Sequence, residues 1–326
     1  MTTWLLTGGA GYIGPHIARS FLDSGRGVVV IDDLSNGFRE NVPPGVALIE
    51  ANLRDGAAVE AALRDHEVGG VVHLAALKAV GESVEQPLRY YRENVDGMLT
   101  LLERMEAVGV HRMVFSSSAA VYGEVAVETV TEETRQQPAS PYGETKLVGE
   151  WMMRALHAAG RLDAIALRYF NVAGAGAPEL GDRGVSNLVP MVFRAIESGG
   201  RPEVFGGDWP TRDGSCIRDY IHVVDLAEAH LAAARRLEAL APGESLLRTY
   251  NVGTGTGTTV LEVIDAVARA TGRAIDPRIT DRRAGDPARV VADAGAARRD
   301  LGWSARFGID DMVSSAWASW RHRLDG

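Results

Sequence analysis

The chain has 326 residues, 46% of them hydrophobic, with 34 basic against 43 acidic side chains and a formal charge of −9. That length allows one large domain or two modest ones, each with a real core. The acidic balance without a basic stripe argues against nucleic acid, no apolar run is long enough to span a membrane, and a single cysteine, Cys216, argues against a disulfide framework.

The chain opens on the apolar run Trp4-Leu5-Leu6, followed by TGGAGYIG (7–14) and then Ile13, Ile17, Phe21 and Leu22 at helical spacing. Gly8, Gly11 and Gly14 therefore join a buried strand to a helix. A second strand, 28–31, ends in Asp32. A βαβ unit with a glycine turn and an acid about 20 residues on is a dinucleotide site. The helix N-terminus offers free N–H groups to a pyrophosphate, and Asp32 can accept from ribose hydroxyls while repelling a 2′-phosphate. NAD is thus favoured over NADP. Pro15 removes one N–H from the first helical turn.

Strand and helix then alternate: a strand at 46–49, a helix at 57–64, a strand at 71–74, one long helix at 88–107, a strand at 113–115, a helix at 142–157 and a strand at 165–167. Alternation of this kind gives an α/β fold with a doubly wound parallel sheet, the Rossmann arrangement, whose ligands sit at the carboxyl ends of the strands. From Asn171 the pattern becomes irregular, with helices expected at 188–198, 259–270 and 309–323 and a strand of the main sheet returning at 249–253. The expected division is a dinucleotide-binding domain at 1–171, with that returning strand, and a smaller interleaved substrate domain at 172–326. The start shows no basic-then-apolar leader pattern, and the lone cysteine fits a reducing compartment, so a cytoplasmic protein is expected. Cys216 has no neighbours at metal-ligand spacing, and no metal is expected.

The strand at 113–115 runs into SSSAAVYG (116–123), and SPYGETK (140–146) follows. Tyr142 and Lys146 are four apart and share a helix face. At pH 7 about one free tyrosine in a thousand is phenolate, and lowering its pKa to about 7 takes about 4 kcal/mol. Lys146 and an oxidised nicotinamide are two cations that favour the anion, which then acts as general base on an alcohol, with Ser118 relaying or orienting the proton.

TGGAGYIG, HLAALKAVGES (73–83), SSSAAVYG, SPYGETK, LRYFNVAG (167–174) and RDYIHVVDLA (218–227) together resemble the extended short-chain dehydrogenase/reductases, and within them the UDP-glucose (UDP-galactose) 4-epimerases, over nearly the whole chain. The resemblance implies a catalytic set of Ser118, Tyr142 and Lys146. It implies NAD contacts from Gly8, Gly11, Tyr12, Ile13, Gly14, Asp32 and Asn36, from Asn52 and Leu53 beside the adenine, and from Leu74, Ala75, Lys78 and Asn94. Tyr169 and Phe170 would lie near the nicotinamide and sugar. The family usually has Asp where this chain has Asn52. UDP-sugar contacts are implied for Lys78, Ser118, Tyr142, Phe170, Asn171, Asn187, Leu188 and Phe205, and for Arg218, Arg283 and Asp286, where planar arginines suit a diphosphate. Val290 falls where the family places a gatekeeper, often tyrosine in members restricted to plain hexoses and small in those taking N-acetylated sugars.

The expected reaction is reversible 4-epimerisation of a UDP-hexose, UDP-glucose and UDP-galactose first, through a transient 4-keto sugar with tightly bound NAD. UDP-N-acetylglucosamine, or a UDP-pentose or uronate, is an alternative substrate. A dehydratase would need an acidic pair where Ala119 and Ala120 stand, a simple dehydrogenase would release its reduced cofactor, and a non-catalytic scaffold would not need the triad. The resemblance implies a homodimer, and the helices expected at 88–107 and 142–157 carry apolar residues that could pair across its two-fold axis.

Overall fold

A computed structural model describes every residue except Met1, Ala126, Val185, Ser186, Ala284, Gly285 and Gly326. Ala284 and Gly285, between Arg283 and Asp286, thus lie outside the described residues. Strand β1 (Thr3–Thr7) carries Trp4, Leu5 and Leu6 fully buried, as a central strand covered on both faces must. Helix α1 (Gly14–Asp23) buries Ile17 and Phe21, and Phe21 meets Trp4 edge-on at 5.7 Å between ring centroids. Strands β2 (Gly27–Asp32) and β3 (Ala47–Glu50) follow. Helix α2 (Gly56–Asp65) is capped by Asp55, which accepts from the Ala58 N–H at 3.1 Å, and leads to β4 (Val68–His73).

The single helix expected at 88–107 is broken up. Short helices α3 (Val80–Glu85) and α4 (Pro87–Tyr90) precede a π-helical turn at Tyr91–Asp96, and only then does α5 (Gly97–Val108) run on, ending at Gly109 with φ +79°. The hydrophobic period cannot reveal one wide turn inside a helix. Next come β5 (Arg112–Ser118) and α6 (Pro141–Ala158), which starts with Ser140 accepting from the Gly143 N–H and Pro141 at its first position.

Further along lie β6 (Asp163–Tyr169), β7 (Asn171–Ala173), α7 (Leu188–Glu197), β8 (Glu203–Phe205) and β9 (Ile217–His222). Helix α8 (Val223–Glu238) was not foreseen: it begins directly where β9 ends, with no glycine or proline between them to punctuate the change. The chain closes with β10 (Leu247–Val252), β11 (Gly257–Thr259), α9 (Val260–Thr271), β12 (Arg278–Thr280), β13 (Arg289–Val290), α10 (Gly295–Leu301) and α11 (Ile309–Asp325). A capping box between Thr259 and Glu262 starts α9.

The main sheet has the order β10-β6-β5-β4-β1-β2-β3, with parallel pairing from β5 through β4, β1 and β2 to β3. The order reverses between β1 and β4, the doubly wound pattern. In a second sheet β9 pairs with β11, β13 and β7, while β12 pairs with β8.

By contacts the chain divides into two compact units, 1–122 with 136–168 and 227–250, and 123–135 with 169–226 and 251–326. Compared with the expected division at 171/172 with a strand returning at 249–253, the first unit also takes most of α8 but ends at 250, and the second takes the short segment 123–135 together with 169–171 and 251–253. The first is built on a core of Leu5, Val29, Ile31, Val71, Met113 and Phe115 with Leu101 and Met153, and the second on Val192, Phe193, Val263, Val267, Met312 and Val313.

Candidate active site

The glycine turn between β1 and α1 shows why each glycine is there. Gly8 has φ +69° and its N–H donates to Ile31 O at 2.8 Å; a Cβ there would lie 2.7 Å from the Ala75 backbone. At Gly14 a Cβ would lie 2.3 Å from the Gly9 carbonyl oxygen. The chain itself therefore demands these two. At Gly11 a Cβ would meet only the Gly8 oxygen at 3.4 Å, so packing does not require glycine there. A glycine the protein does not need leaves room for a ligand to approach the backbone, which is the part the middle glycine plays against a pyrophosphate. Tyr12 and Ile13 complete the turn, Ile13 as the residue preceding α1, and Pro15 sits in its first turn. The turn thus fits a dinucleotide.

Asp32 ends β2, nearly buried, and its two carboxylate oxygens accept from the Ala10 and Leu34 N–H groups at 2.9 Å each. Burial raises its pKa in spite of these donors. Asn36 is exposed in the bend beyond. The Asn52 amide donates to Asp33 at 2.8 Å, and its oxygen accepts from the Arg54 N–H at 3.0 Å; Leu53 is buried in the core. Past β4, the Leu74 N–H donates to Thr7 O and the Ala75 N–H to the Thr7 hydroxyl, while Lys78 is exposed. Asn94, on the π turn, is nearly buried: it bonds both N–H and C=O of Leu77 and donates to the Thr145 hydroxyl at 2.9 Å. It ties the 74–79 stretch to α6, a link no spacing argument reveals.

Ser118, Tyr142 and Lys146 are brought together by β5 and α6. Ser118 hydrogen-bonds the Tyr142 phenol, and the Lys146 ammonium lies 6.0 Å from the Tyr142 ring centroid and donates to Ser116 O at 2.8 Å. Both Tyr142 and Lys146 are almost wholly buried. Burial pushes the phenol pKa up, with the Ser118 bond partly opposing, and pulls Lys146 down to about 7. The chain's own groups thus do not produce the lowered phenol pKa expected from the sequence, because desolvation opposes the charged form of both partners. Beneath them, neutral His73 stacks on Phe115 and bonds Thr7; desolvation first, then Lys146, hold its pKa at about 3. Glu150 and Arg168, not singled out in the sequence, form a buried ion pair in the same unit. The available signal was a carboxylate one further helical turn past Lys146.

In the second unit the residues expected at a nucleotide form their own cluster. Arg218 donates to Ile217 O and Pro287 O and pairs with Asp286 at 3.4 Å. Arg283 lies 4.2 Å over the Phe205 ring and 3.8 Å from Asp286. Val290 is half-buried in β13 opposite Arg218. Asn187 donates to Asp182 just before Leu188 opens α7, so it is not seen in this cluster. Tyr169 ends β6, Phe170 is buried with its N–H on Val252 O, and exposed Asn171 bonds the Tyr220 phenol.

Residues 4–253 match the NAD dependent epimerase/dehydratase family. UDP-glucose 4-epimerase of Bacillus subtilis is 42% identical, the match covering 96% of this chain and 95% of that one. The UDP-glucose-4-epimerase of Stenotrophomonas maltophila, solved with bound NAD and formylated UDP-arabinopyranose, superposes with a TM-score of 0.95 at 40% identity over 100% of this chain and 99% of that one. The Bifidobacterium longum enzyme in complex with NAD+ and UDP gives 0.92 at 38% identity over 100% of both chains. With its glycine turn, doubly wound sheet and serine–tyrosine–lysine group, the chain belongs to the NAD dependent epimerase/dehydratase family.

Proposed function

We propose that this chain is an NAD-dependent UDP-hexose 4-epimerase interconverting UDP-glucose and UDP-galactose. The observation that carries this reading is the Ser118–Tyr142–Lys146 constellation in the same unit as a glycine turn whose middle glycine the protein does not itself require. When bound, NAD supplies reversible hydride acceptance at the sugar C4, so the reaction has no net redox change.

Tyr142 takes the proton from the 4-hydroxyl oxygen and returns it to that oxygen. Ser118, already bonded to the phenol, orients it. Lys146, whose ammonium lies 6.0 Å from the Tyr142 ring centroid, is the chain's own cation beside the phenol, and its positive charge favours the phenolate. Gly11 admits the pyrophosphate to the backbone, Asp32 takes the adenosine ribose, and Arg218 and Arg283 take the UDP diphosphate while Asp286 takes the uridine ribose. Ala119 and Ala120 occupy the turn after Ser118, where a dehydratase needs carboxylates.

Two finer readings accompany this one. Val84, Leu88, Leu99 and Trp151 are exposed apolar side chains on α3, α4, α5 and α6, and α3 and α4 pack on α6; such a patch supports a homodimer. The one cysteine, buried and unpaired, supports a cytoplasmic setting; among the described residues no helix is long and apolar enough to cross a membrane.

Incubation of the purified protein with UDP-galactose is expected to yield UDP-glucose. Tyr142→Phe is expected to lose at least about 100-fold in kcat while keeping its fold and UDP affinity, since general acid–base catalysis is worth about 10²–10⁴-fold. Absence of any 4-epimer from the wild type, or a Phe variant with more than about a tenth of its rate, refutes the proposal.

A further inference from the structure

Three consecutive residues of β5 each hold one residue of α6. Ser118 bonds the Tyr142 phenol, the Ser116 carbonyl accepts from Lys146 at 2.8 Å, and the Ser117 hydroxyl donates to Glu150 Oε1 at 2.6 Å. Tyr142, Lys146 and Glu150 are spaced by four, so they form one stripe on the helix. Glu150 is in turn gripped from β6: Arg168 Nε donates to Oε1 at 2.9 Å and Nη2 to Oε2 at 2.5 Å. Arg168 Nη1 then reaches the Tyr122 phenol at 2.9 Å, with the guanidinium 4.9 Å from that ring. Glu150, Arg168 and Ser117 are all nearly or fully buried.

A buried ion pair is a poor source of stability, because desolvation cancels most of its attraction, and apolar residues of like volume often serve as well. What a bidentate pair supplies is direction. Here it fixes rotation and axial position of α6 against β5 and β6. One residue of slip along an α-helix is about 1.5 Å with about 100° of rotation, and about 1 Å of misplacement can cost a catalytic group about 100-fold.

We propose that Glu150 and Arg168, through Ser117, are positioning residues that set the register of α6 on β5 and thereby place Tyr142 and Lys146 against Ser118 and the Ser116 carbonyl. The inference rests on the reading of Tyr142 as the proton-transferring group. The bonds of this pair run to Ser117, to Tyr122 and between its own two members.

The test uses the NAD-loaded protein and two variants that leave the net charge near Tyr142 unchanged: the apolar double substitution E150L/R168M and the single Ser117→Ala. Steady-state kcat and KM with UDP-galactose are measured alongside thermal melts and retained NAD. The ionisation of Tyr142 is read from tyrosinate absorbance, as the difference from Tyr142→Phe in each background, which cancels the Tyr122 phenol that bonds Arg168; Lys146 and His73 are present throughout. In E150L/R168M, kcat is expected to fall at least about tenfold with KM within about threefold and NAD retained, within the loss that misplacement produces. The Tyr142 titration midpoint is expected to move up, as the phenol loses the Ser118 bond that favours its charged form. Ser117→Ala is expected to move both quantities the same way by less. An unchanged kcat and midpoint in the folded double variant, or a kcat loss that vanishes on correction for folded fraction, overturns the proposal. Should the double variant not fold, Ser117→Ala decides by the same two quantities. A wild type without epimerase activity refutes the proposed function alone, and the tyrosinate titration still reads the register.

Discussion

Replacing Gly11 by alanine separates what the fold needs from what the cofactor needs. At Gly14 the added methyl carbon would sit 2.3 Å from a backbone oxygen and 2.5 Å from a backbone Cα, with no flexible side chain to yield. At Gly8 it would meet the Ala75 backbone at 2.7 Å, in a left-handed conformation that disfavours a side chain. At Gly11 it meets one oxygen at an ordinary 3.4 Å. Alanine there restricts the unfolded chain and is expected to raise stability by about 0.4–1 kcal/mol, a melting shift of no more than about 4 °C. On the proposed reading the same methyl group stands where the NAD pyrophosphate approaches backbone N–H groups. Losing one charge-assisted hydrogen bond of about 1.5–3 kcal/mol weakens NAD binding by about 10–150-fold. The assay pairs thermal melts of the cofactor-free proteins with an NAD titration of each. Gly11→Ala should melt at or above the wild type and bind NAD weakly, whereas Gly8→Ala and Gly14→Ala should melt well below it. An NAD affinity within about twofold of wild type in Gly11→Ala, where about tenfold or more is expected, refutes the reasoning, and so does a loss of stability comparable with that of Gly14→Ala.

His73 is held neutral with a pKa near 3 against 6.5 in the unfolded chain, so the unfolded state binds more protons between those values. Its contribution to stability is therefore complete above pH 6.5 and drains away as pH falls toward 3; urea midpoints of His73→Gln should show a shallower acid decline than the wild type, and equal slopes would exclude this role. Val290→Tyr adds a large ring to a half-buried strand position, and filling such space costs about 1–3 kcal/mol or more for a bulky ligand. It should abolish turnover of UDP-N-acetylglucosamine, measurable in the wild type, while sparing UDP-glucose; equal losses on both sugars would remove Val290 from specificity. Leu88→Glu, at a side chain 77% exposed on α4, should convert the proposed dimer to monomer in sedimentation without lowering the melting temperature of the fold, whereas a wild type already monomeric at micromolar concentration would rule the dimer out.

Local chemistry wrote much of this protein into its sequence. A Gly-x-x-Gly-x-x-Gly turn between an apolar strand and an amphipathic helix, an acid at the end of the next strand, and Tyr142 four residues from Lys146 are short-range patterns, and the structure places each on the expected element. The π turn at 91–96 and helix α8 were hidden for opposite reasons. A wide turn leaves the apolar period almost unchanged, and a strand that passes straight into a helix offers no punctuating residue. The sequence also misled about charge: Lys146 beside Tyr142 reads as a cation lowering a phenol pKa, but packing buries both, and desolvation then works against each charged form. Which of the three glycines packing demands could not be read from their identical spacing, since it depends on Gly9 within the turn and on Ala75, which arrives past β4. Nor could the partnership of Glu150 with Ser117 and Arg168, 33 and 18 residues away, be foreseen. Periodicity fixes which face a residue occupies; only the tertiary fold decides what stands opposite it, and burial and pairing there set its chemistry.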